Sequence, residues 1–385
     1  MKITAFRTTP LLLPYTRPFH QIQGARDAAS VVLVEVETDS GLVGIGESIS
    51  RPDAASVVRL LQGASDLVIG RDAHGVDAIV TAVRGSITDG PGSDMDRVAR
   101  QAVAGLDFAL WDLAGKAAGV PTHRLFGGPL HDGIGYFAFI DGNTPEELAE
   151  DAAVAVAAGI QVVYMKLGRG DGVDVAATAA VRAAIGETRL RLDANESWDI
   201  MGAITMINRL APYGPEFIEQ PVSRHRMHGL KQVRDATGVP IAADQSIHSP
   251  EDVYATLHAG AADVIVVGPH EAGGLSQLLK AATVAEAAGV RLCIHGTVET
   301  GITTCASHQA ALAIANIDDG NQIMCQLVAD DLVSTPDLTL AGGKLGVWDA
   351  PGLGFTLDPN AVARAAERAR HDPSSSRQAS TSRRT

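Results

Sequence analysis

A repeat in the second part of this chain constrains its fold more than any other feature. Beyond about Leu130, a short apolar run is followed by a polar or glycine-bearing turn and then an alanine-rich amphipathic stretch, over and over. The runs are Ile134 to Ile140, Val162 to Leu167, Leu190 to Asp193, Glu216 to Glu219, Ile241 to Asp244, Asp263 to Val267, Arg291 to His295 and Ile323 to Leu327. Parallel strands buried on both faces read as short continuous apolar stretches. Eight of them alternating with helices predict a (β/α)8 TIM-type barrel.

The preceding part reads differently. Alternation through Lys2 to Pro14, and again from Ser30 to Val43 around the turn residues Asp39, Ser40 and Gly41, predicts a small antiparallel sheet. From about Asp53 to Gly119 the period becomes helical, ending in Val103 to Ala118. The expected organisation is an α+β capping domain over 1–128, the barrel over 129–337 and a C-terminal return to the cap over 338–370. The Ser/Arg-rich residues 371–385 read as a disordered tail or a cloning remnant.

The formal charge of −14 argues against a nucleic-acid partner, because phosphate binding needs a basic face. A small anionic substrate remains compatible, since a metal ion and a lysine can make one site positive against the sign of the whole surface. No stretch reads as a membrane span, and Leu11 to Pro14 is too short for a signal-peptide core, so a cytoplasmic protein is expected. Cys293, Cys305 and Cys325 lack metal-ligand spacing and read as reduced core residues.

Charged residues end successive barrel strands: Lys166, Asp193, Glu219 and Asp244, each separated from the last by roughly one βα unit, and later His295. The C-terminal ends of barrel strands form a ring, so the three acids become neighbours at its mouth. Three carboxylates held together repel one another unless a cation balances them. An all-oxygen set favours Mg2+, or Mn2+, over zinc, and Asp193, Glu219 and Asp244 are the expected metal ligands. Taken singly, each acid would read as an ordinary strand-end residue in a polar turn. Lys166 reads as a base, its charged form disfavoured by a nearby cation and by partial burial; the alternative is a rim lysine. Tyr164, two residues earlier on the strand, faces the same way.

The segment Ala104-Gly105-Leu106-Asp107-Phe108-Ala109-Leu110-Trp111-Asp112-Leu113, with Gly115-Lys116 and Leu125-Phe126-Gly127-Gly128, resembles the cap-to-barrel junction of the mandelate racemase and muconate lactonizing enzyme family of the enolase superfamily. Asp193-Ala194-Asn195, Glu219-Gln220-Pro221 and Ala243-Asp244-Gln245-Ser246 are similar to its metal-binding strand ends, and Gly273-Gly274 and Pro351-Gly352-Leu353-Gly354 fit as well. The resemblance covers nearly the whole chain. It implies a Mg2+-dependent enzyme that binds a small-molecule carboxylate, removes its α-proton and stabilises the enolate on the metal. It also implies mobile cap loops that read the far end of the substrate, here around Phe19 to Arg26 and Ile49 to Ala54, with His20, Gln21, Gln23 and Arg26 suiting a polar substrate. A homo-oligomer is expected.

Two departures stand out. The family's lysine-x-lysine is here Tyr164-x-Lys166, a phenol that could bond a substrate oxygen or simply pack. The sixth strand ends in Gly268, where relatives carry a lysine or an aspartate. His295, similar to the racemase-branch histidine, and His270, in the loop after Gly268, are the candidates for the missing acid or base. Asn195 is expected to support Asp193 or Lys166 and to lie near substrate, with Glu299 a further substrate contact or a helix N-terminal charge. Lys166 and His295 on opposite faces would give racemisation, epimerisation or cycloisomerisation; His295 protonating a leaving hydroxyl would give an acid-sugar or hydroxy-acid dehydratase. A non-catalytic carboxylate-binding barrel is the third reading.

Overall fold

The computed structural model describes residues 1–21, 24–88, 95–297 and 299–371, without the side chains of 18–26. The loop expected at Phe19 to Arg26, with His20, Gln21, Gln23 and Arg26, and the tail beyond residue 371 therefore lie outside the residues described in full.

β1 (Ile3–Gln21), β2 (Gly24–Thr38) and β3 (Val43–Ile49) form an antiparallel sheet in that order. β2, at its centre, is apolar on both faces. Val32, Val34 and Val36 pack on α1 (Ala54–Gly63), α2 (Val76–Thr88) and α3 (Asp96–Ala118), while Ala29, Val31 and Leu33 join Leu11, Leu13 and residues from the end of the chain. α3 is buried nearly all round because it lies between this sheet and the barrel. Its approach to β3 needs glycine: a Cβ at Gly46 would stand 1.9 Å from the carbonyl oxygen of Gly105. Asp107 of α3 accepts from Leu275 N at 2.6 Å and Ser276 Oγ at 2.7 Å, and Asp112 accepts from Ile45 N at 3.0 Å and Leu353 N at 2.9 Å. Those junction residues bind the layers together.

After α4 (Thr122–Leu125) and β4 (Gly133–Gly135) the barrel proceeds through β5 (Ala138–Phe139), α5 (Pro145–Ala157), β6 (Val162–Lys166), α6 (Asp171–Ile185), β7 (Arg189–Asp193), α7 (Ile200–Leu210), β8 (Phe217–Glu219), α8 (Met227–Ala236), β9 (Ile241–Ala243), α9 (Pro250–His258) and β10 (Val264–Val266). α10 (Pro269–Ala272), α11 (Leu275–Ala287), β11 (Arg291–Cys293) and α12 (Gly301–Ala311) complete it. β5 to β11 form one parallel sheet in chain order. Several helices start as their sequence dictates: Thr144, Asp199 and Ser249 each cap a free backbone N–H, and proline follows Thr144 and Ser249.

The eighth strand is not where the apolar run placed it. Cys325–Leu327 forms a single 3-10 turn. The gap is closed instead by residues 316–322, which bond β11 on one side (Asp318 N to Leu292 O, 2.9 Å) and the start of the barrel on the other (Phe137 N to Asn321 O, 3.0 Å). The sequence there, Ile317-Asp318-Asp319-Gly320-Asn321-Gln322, is polar because the barrel interior meets it with charge. Arg191, 1% exposed, lies over the Phe217 ring and bonds Asp318, the Gly320 carbonyl and, at 2.8 Å, Glu216. A buried guanidinium thus takes the place of an apolar eighth strand.

The described residues end with β12 (Val333–Thr335), β13 (Lys344–Gly346), β14 (Thr356–Leu357) and α13 (Pro359–His371). Ala361 and Ala365 of α13 pack under Leu11 and Leu13 of the cap sheet. None of the described helices is long and apolar enough to cross a membrane.

Candidate active site

Side chains alternate along a strand, and that alternation assembles the site. The inward residues Phe217, Ala242, Val266 and Cys293 pack with one another inside the barrel. Two residues after each come Glu219, Asp244, Gly268 and His295; Arg191 is followed in the same way by Asp193. Every one of these later positions belongs to the mouth. The ladders set Lys166 beside Asp193, and Asp193 beside Glu219.

Asp193, Glu219 and Asp244 are all buried. Asp193 Oδ2 accepts from Lys166 Nζ at 2.5 Å, Tyr164 Oη at 2.7 Å and Asn195 Nδ2 at 2.9 Å. Tyr164 Oη lies also 3.0 Å from Glu219 Oε1, so the phenol bridges two carboxylates rather than reaching for a substrate oxygen. Its ring stacks on Phe137 at 4.3 Å. Burial, followed by the charges of Asp193 and Asp244, raises Glu219 well above the usual carboxylate range. Burial likewise raises Asp244, with Asp193 adding to the effect and His295 opposing it. Acids that repel in this way, with only oxygen donors, fit a hard divalent cation such as Mg2+. Tyr164 Oη and Lys166 Nζ both bond Asp193 Oδ2 in this structure.

Without a cation among the acids, Lys166 stays charged. Burial alone pushes its ammonium down, but Asp193, Glu219 and Asp244 outweigh burial and hold the pKa above the ordinary lysine value. The three acids must be charge-balanced before burial can favour the neutral amine.

The glycine ending the sixth strand has a steric reason. A Cβ at Gly268 would stand 2.6 Å from His295 Nε2 and 2.7 Å from its Cδ2, so the imidazole occupies the volume that a side chain at 268 would need. His295 Nδ1 is 3.5 Å from Asp244 Oδ1, and its buried Nε2 has no hydrogen-bond partner. His270 is elsewhere: its Nε2 meets the Glu47 carbonyl at 2.8 Å, its ring packs near Phe108, and burial holds its pKa down at about 4. Glu299 also turns away. Its carboxylate is bonded by Thr297 N and Thr297 Oγ1, and burial raises its pKa well above the carboxylate range.

Above the acids lies a cavity of about 280 Å3. Asn195 and Gln245 line it near the acids, and Arg51, from the expected loop Ile49 to Ala54, lines it from the cap. The sequence reading missed the rest of its wall. Arg97 of the cap helix α3 grips Glu271 of α10 with two bonds, at 3.0 and 3.2 Å, and Arg224 grips Glu196. His248 and Gln322 also line the cavity. Glu196 directly follows Asn195, which was the one available signal; the partners of the other pairs are too distant in sequence to be matched. Asn195, Glu196 and Gln220 all have positive φ, at 49°, 65° and 33°. Such strain, about 1–3 kcal/mol per residue, persists where surrounding bonds enforce it, here Asn195 on Asp193 and Gln220 Oε1 accepting from Asp244 N at 3.0 Å.

The bridge made by Tyr164 yields a stability prediction. Tyr164→Phe leaves two buried carboxylates short of one donor and is expected to cost about 2 kcal/mol in urea unfolding of metal-free protein. A loss under about 0.5 kcal/mol would show that the phenol is dispensable there.

A family model described as "Mandelate racemase / muconate lactonizing enzyme, N-terminal domain" matches residues 2–127, and one described as "Enolase C-terminal domain-like" matches residues 147–361. The chain is 31% identical over 368 residues to the L-Ala-D/L-Glu epimerase of Bacillus subtilis, covering 92% of this chain and 97% of that one. It is 30% identical over 378 residues to the D-galactarolactone cycloisomerase of Agrobacterium fabrum, covering 94% and 98%. The crystal structure of the muconate lactonizing enzyme from Pseudomonas fluorescens complexed with muconolactone superposes with a TM-score of 0.87 at 27% identity, over 94% of this chain and 99% of that one. These relatives are epimerases and cycloisomerases, and with both family models accounting for most of its length the chain is an enzyme of the mandelate racemase and muconate lactonizing enzyme family of the enolase superfamily.

Proposed function

We propose that this protein is a Mg2+-dependent isomerase that moves the proton α to a substrate carboxylate, with Lys166 and His295 as its acid–base pair. The observation that carries the reading is the fit of the His295 imidazole into the space left by Gly268, with Nε2 buried and unpartnered at the mouth that also holds Lys166. Asp193, Glu219 and Asp244 would hold the metal, whose charge stabilises the negative charge that develops on the substrate carboxylate as the proton leaves. Lys166 projects from β6, and His295 follows β11, across the mouth. One group takes the proton and the other returns it on the opposite face, or delivers it to a departing ring oxygen in a cycloisomerisation. Asp244, 3.5 Å from Nδ1, fixes the side of the ring that faces the acids.

We place the enzyme in the cytoplasm, as a homo-oligomer acting on a small molecule; Cys293, Cys305 and Cys325 are buried and form no disulfide with one another. The test is proton NMR in D2O with Mg2+ and a panel of carboxylic acids. Deuterium should enter the α-position without loss of water. Water loss instead would convert the reading to a dehydratase, and no exchange with any carboxylate in a Mg2+-binding protein would sink it. Gly268→Ala is expected to displace the imidazole and lower exchange by about 100-fold while leaving Mg2+ affinity within about twofold. Unchanged exchange in that variant would remove His295 from the mechanism.

A further inference from the structure

The relatives cannot select a substrate, since a dipeptide epimerase and a sugar-lactone cycloisomerase stand at the same identity. The cavity can. We propose, building on the isomerase reading above, that the substrate is a compact polyhydroxylated carboxylic acid, a sugar acid or its lactone, whose hydroxyls are read by His248, Gln245 and the paired walls Arg97–Glu271 and Arg224–Glu196.

The walls carry the argument first. A peptide or N-acyl amino acid would present an apolar side chain or a second ionic group to the cavity. An apolar side chain needs an apolar lining, and here Ile247 and Met324 are the aliphatic side chains among the described lining residues. A second ionic group needs an unbalanced counter-charge. Arg97 is held by Glu271, and Arg224 by Glu196, each through paired bonds. Burial would raise Glu271, but Arg97 overrides it and holds the carboxyl down at about 2, so this pair is fully ionised and internally neutral. These two ion pairs offer donors and acceptors side by side with little net charge of their own, beside Arg51 on the cap side. That matches a hydroxyl, which is both donor and acceptor.

Orphaned atoms make the second, independent observation. Gln245 Nε2 donates to Asp244 Oδ2 at 2.5 Å, which turns Oε1 away from the acid, and Oε1 is buried with no partner. His248 Nε2 is also buried without a hydrogen-bond partner; its nearest acid, Glu271 Oε2, stands 3.9 Å away. Burial keeps the His248 pKa below the ordinary histidine value, despite Glu271. Gln245 and His248 both line the same cavity as His295, so each orphaned atom belongs to a side chain of its wall. Buried polar atoms cost free energy until they are paired, and a site built to bond hydroxyls rejects analogues lacking them. The cavity is small, about 280 Å3, which favours a compact substrate.

The experiment uses the full chain with Mg2+. Gluconate, galactonate and galactarate, each as free acid and as 1,4-lactone, are compared with L-Ala-L-Glu, L-Ala-L-Leu and N-succinyl-L-lysine, following α-deuteration by proton NMR in D2O. Binding is followed in parallel by saturation-transfer difference NMR on the Lys166→Ala variant, which reports recognition without chemistry. Exchange confined to the polyhydroxylated compounds supports the proposal, and the acid and lactone arms distinguish the two forms. Exchange of the dipeptides or the succinylated amino acid but of no sugar acid overturns it and leaves proton abstraction intact. Sugar-acid binding to Lys166→Ala with no exchange by the wild type supports the substrate class and sinks the isomerase reading. Absence of both binding and exchange for every sugar acid overturns the proposal. His248→Phe, which keeps the ring and removes its nitrogens, is expected to raise KM for the sugar acid about tenfold with kcat changed less than threefold. An unchanged KM overturns the assignment of His248.

Discussion

Replacing Lys166 by alanine is expected to lower turnover about 10³-fold, with Mg2+ affinity within a few-fold of wild type, measured by NMR exchange and by calorimetry. The ammonium touches Asp193 directly, so its loss removes a positive neighbour from a metal ligand and gives no reason for the cation to bind less well. The chemistry should suffer because burial favours the neutral amine once the acids are charge-balanced, and no other lysine lines the cavity among its described residues. His295→Asn should produce a loss of similar size. If the two groups serve opposite faces of the substrate, each single variant should still wash deuterium into one epimer and fail with the other. A Lys166→Ala enzyme with wild-type rates would take this residue out of the mechanism, and both variants failing with the same epimer would place the two groups on one face.

The second large effect lies at the opposite end of the barrel. Arg191→Met is expected to cost about 3–5 kcal/mol of unfolding free energy, read from urea denaturation at neutral pH. The guanidinium crosses the barrel interior from β7 to Asp318 and the Gly320 carbonyl in the closing segment, while Glu216 takes its Nε at 2.8 Å. A Cβ at Gly320 would lie 2.5 Å from Arg191 Nη1, so the closing segment is shaped to this side chain. Methionine fills much of the volume but leaves Asp318 and Glu216 with Arg189 as their remaining strong partner, at 2.7 and 2.5 Å. Arg291, 71% exposed and 3.4 Å from Asp318, is the control: Arg291→Met should change stability by less than about 1 kcal/mol. A loss equally small for Arg191→Met would show that the strand ladders hold the barrel without it.

How far the site was legible follows from these same residues. The three acids were visible because each ends an apolar run and the runs recur at one spacing. Tyr164 and Lys166 were legible as sharing a face, since two residues apart on a strand is a local fact. Their hydrogen bonds were not: whether a phenol meets a substrate or two carboxylates depends on neighbouring strands. The eighth strand was misplaced because apolar character was the signal, and the segment that closes the barrel is polar to suit a buried arginine. His270 and Glu299 carried suitable chemistry in the loops after two strands, yet one bonds the Glu47 carbonyl of the cap sheet and the other bonds back on Thr297.

By itself the sequence determined the parallel barrel, the cap before it and the ring of acids and lysine at its mouth, because the alternation of a strand and the length of a βα unit are properties of neighbouring residues. Only the tertiary structure decided that Gly268 makes room for His295, that Arg191 replaces an apolar strand, and that Arg97 meets Glu271 across 174 residues to wall the cavity. Those are matters of shape and charge matched between segments far apart in the chain, and they exist only once the layers have packed.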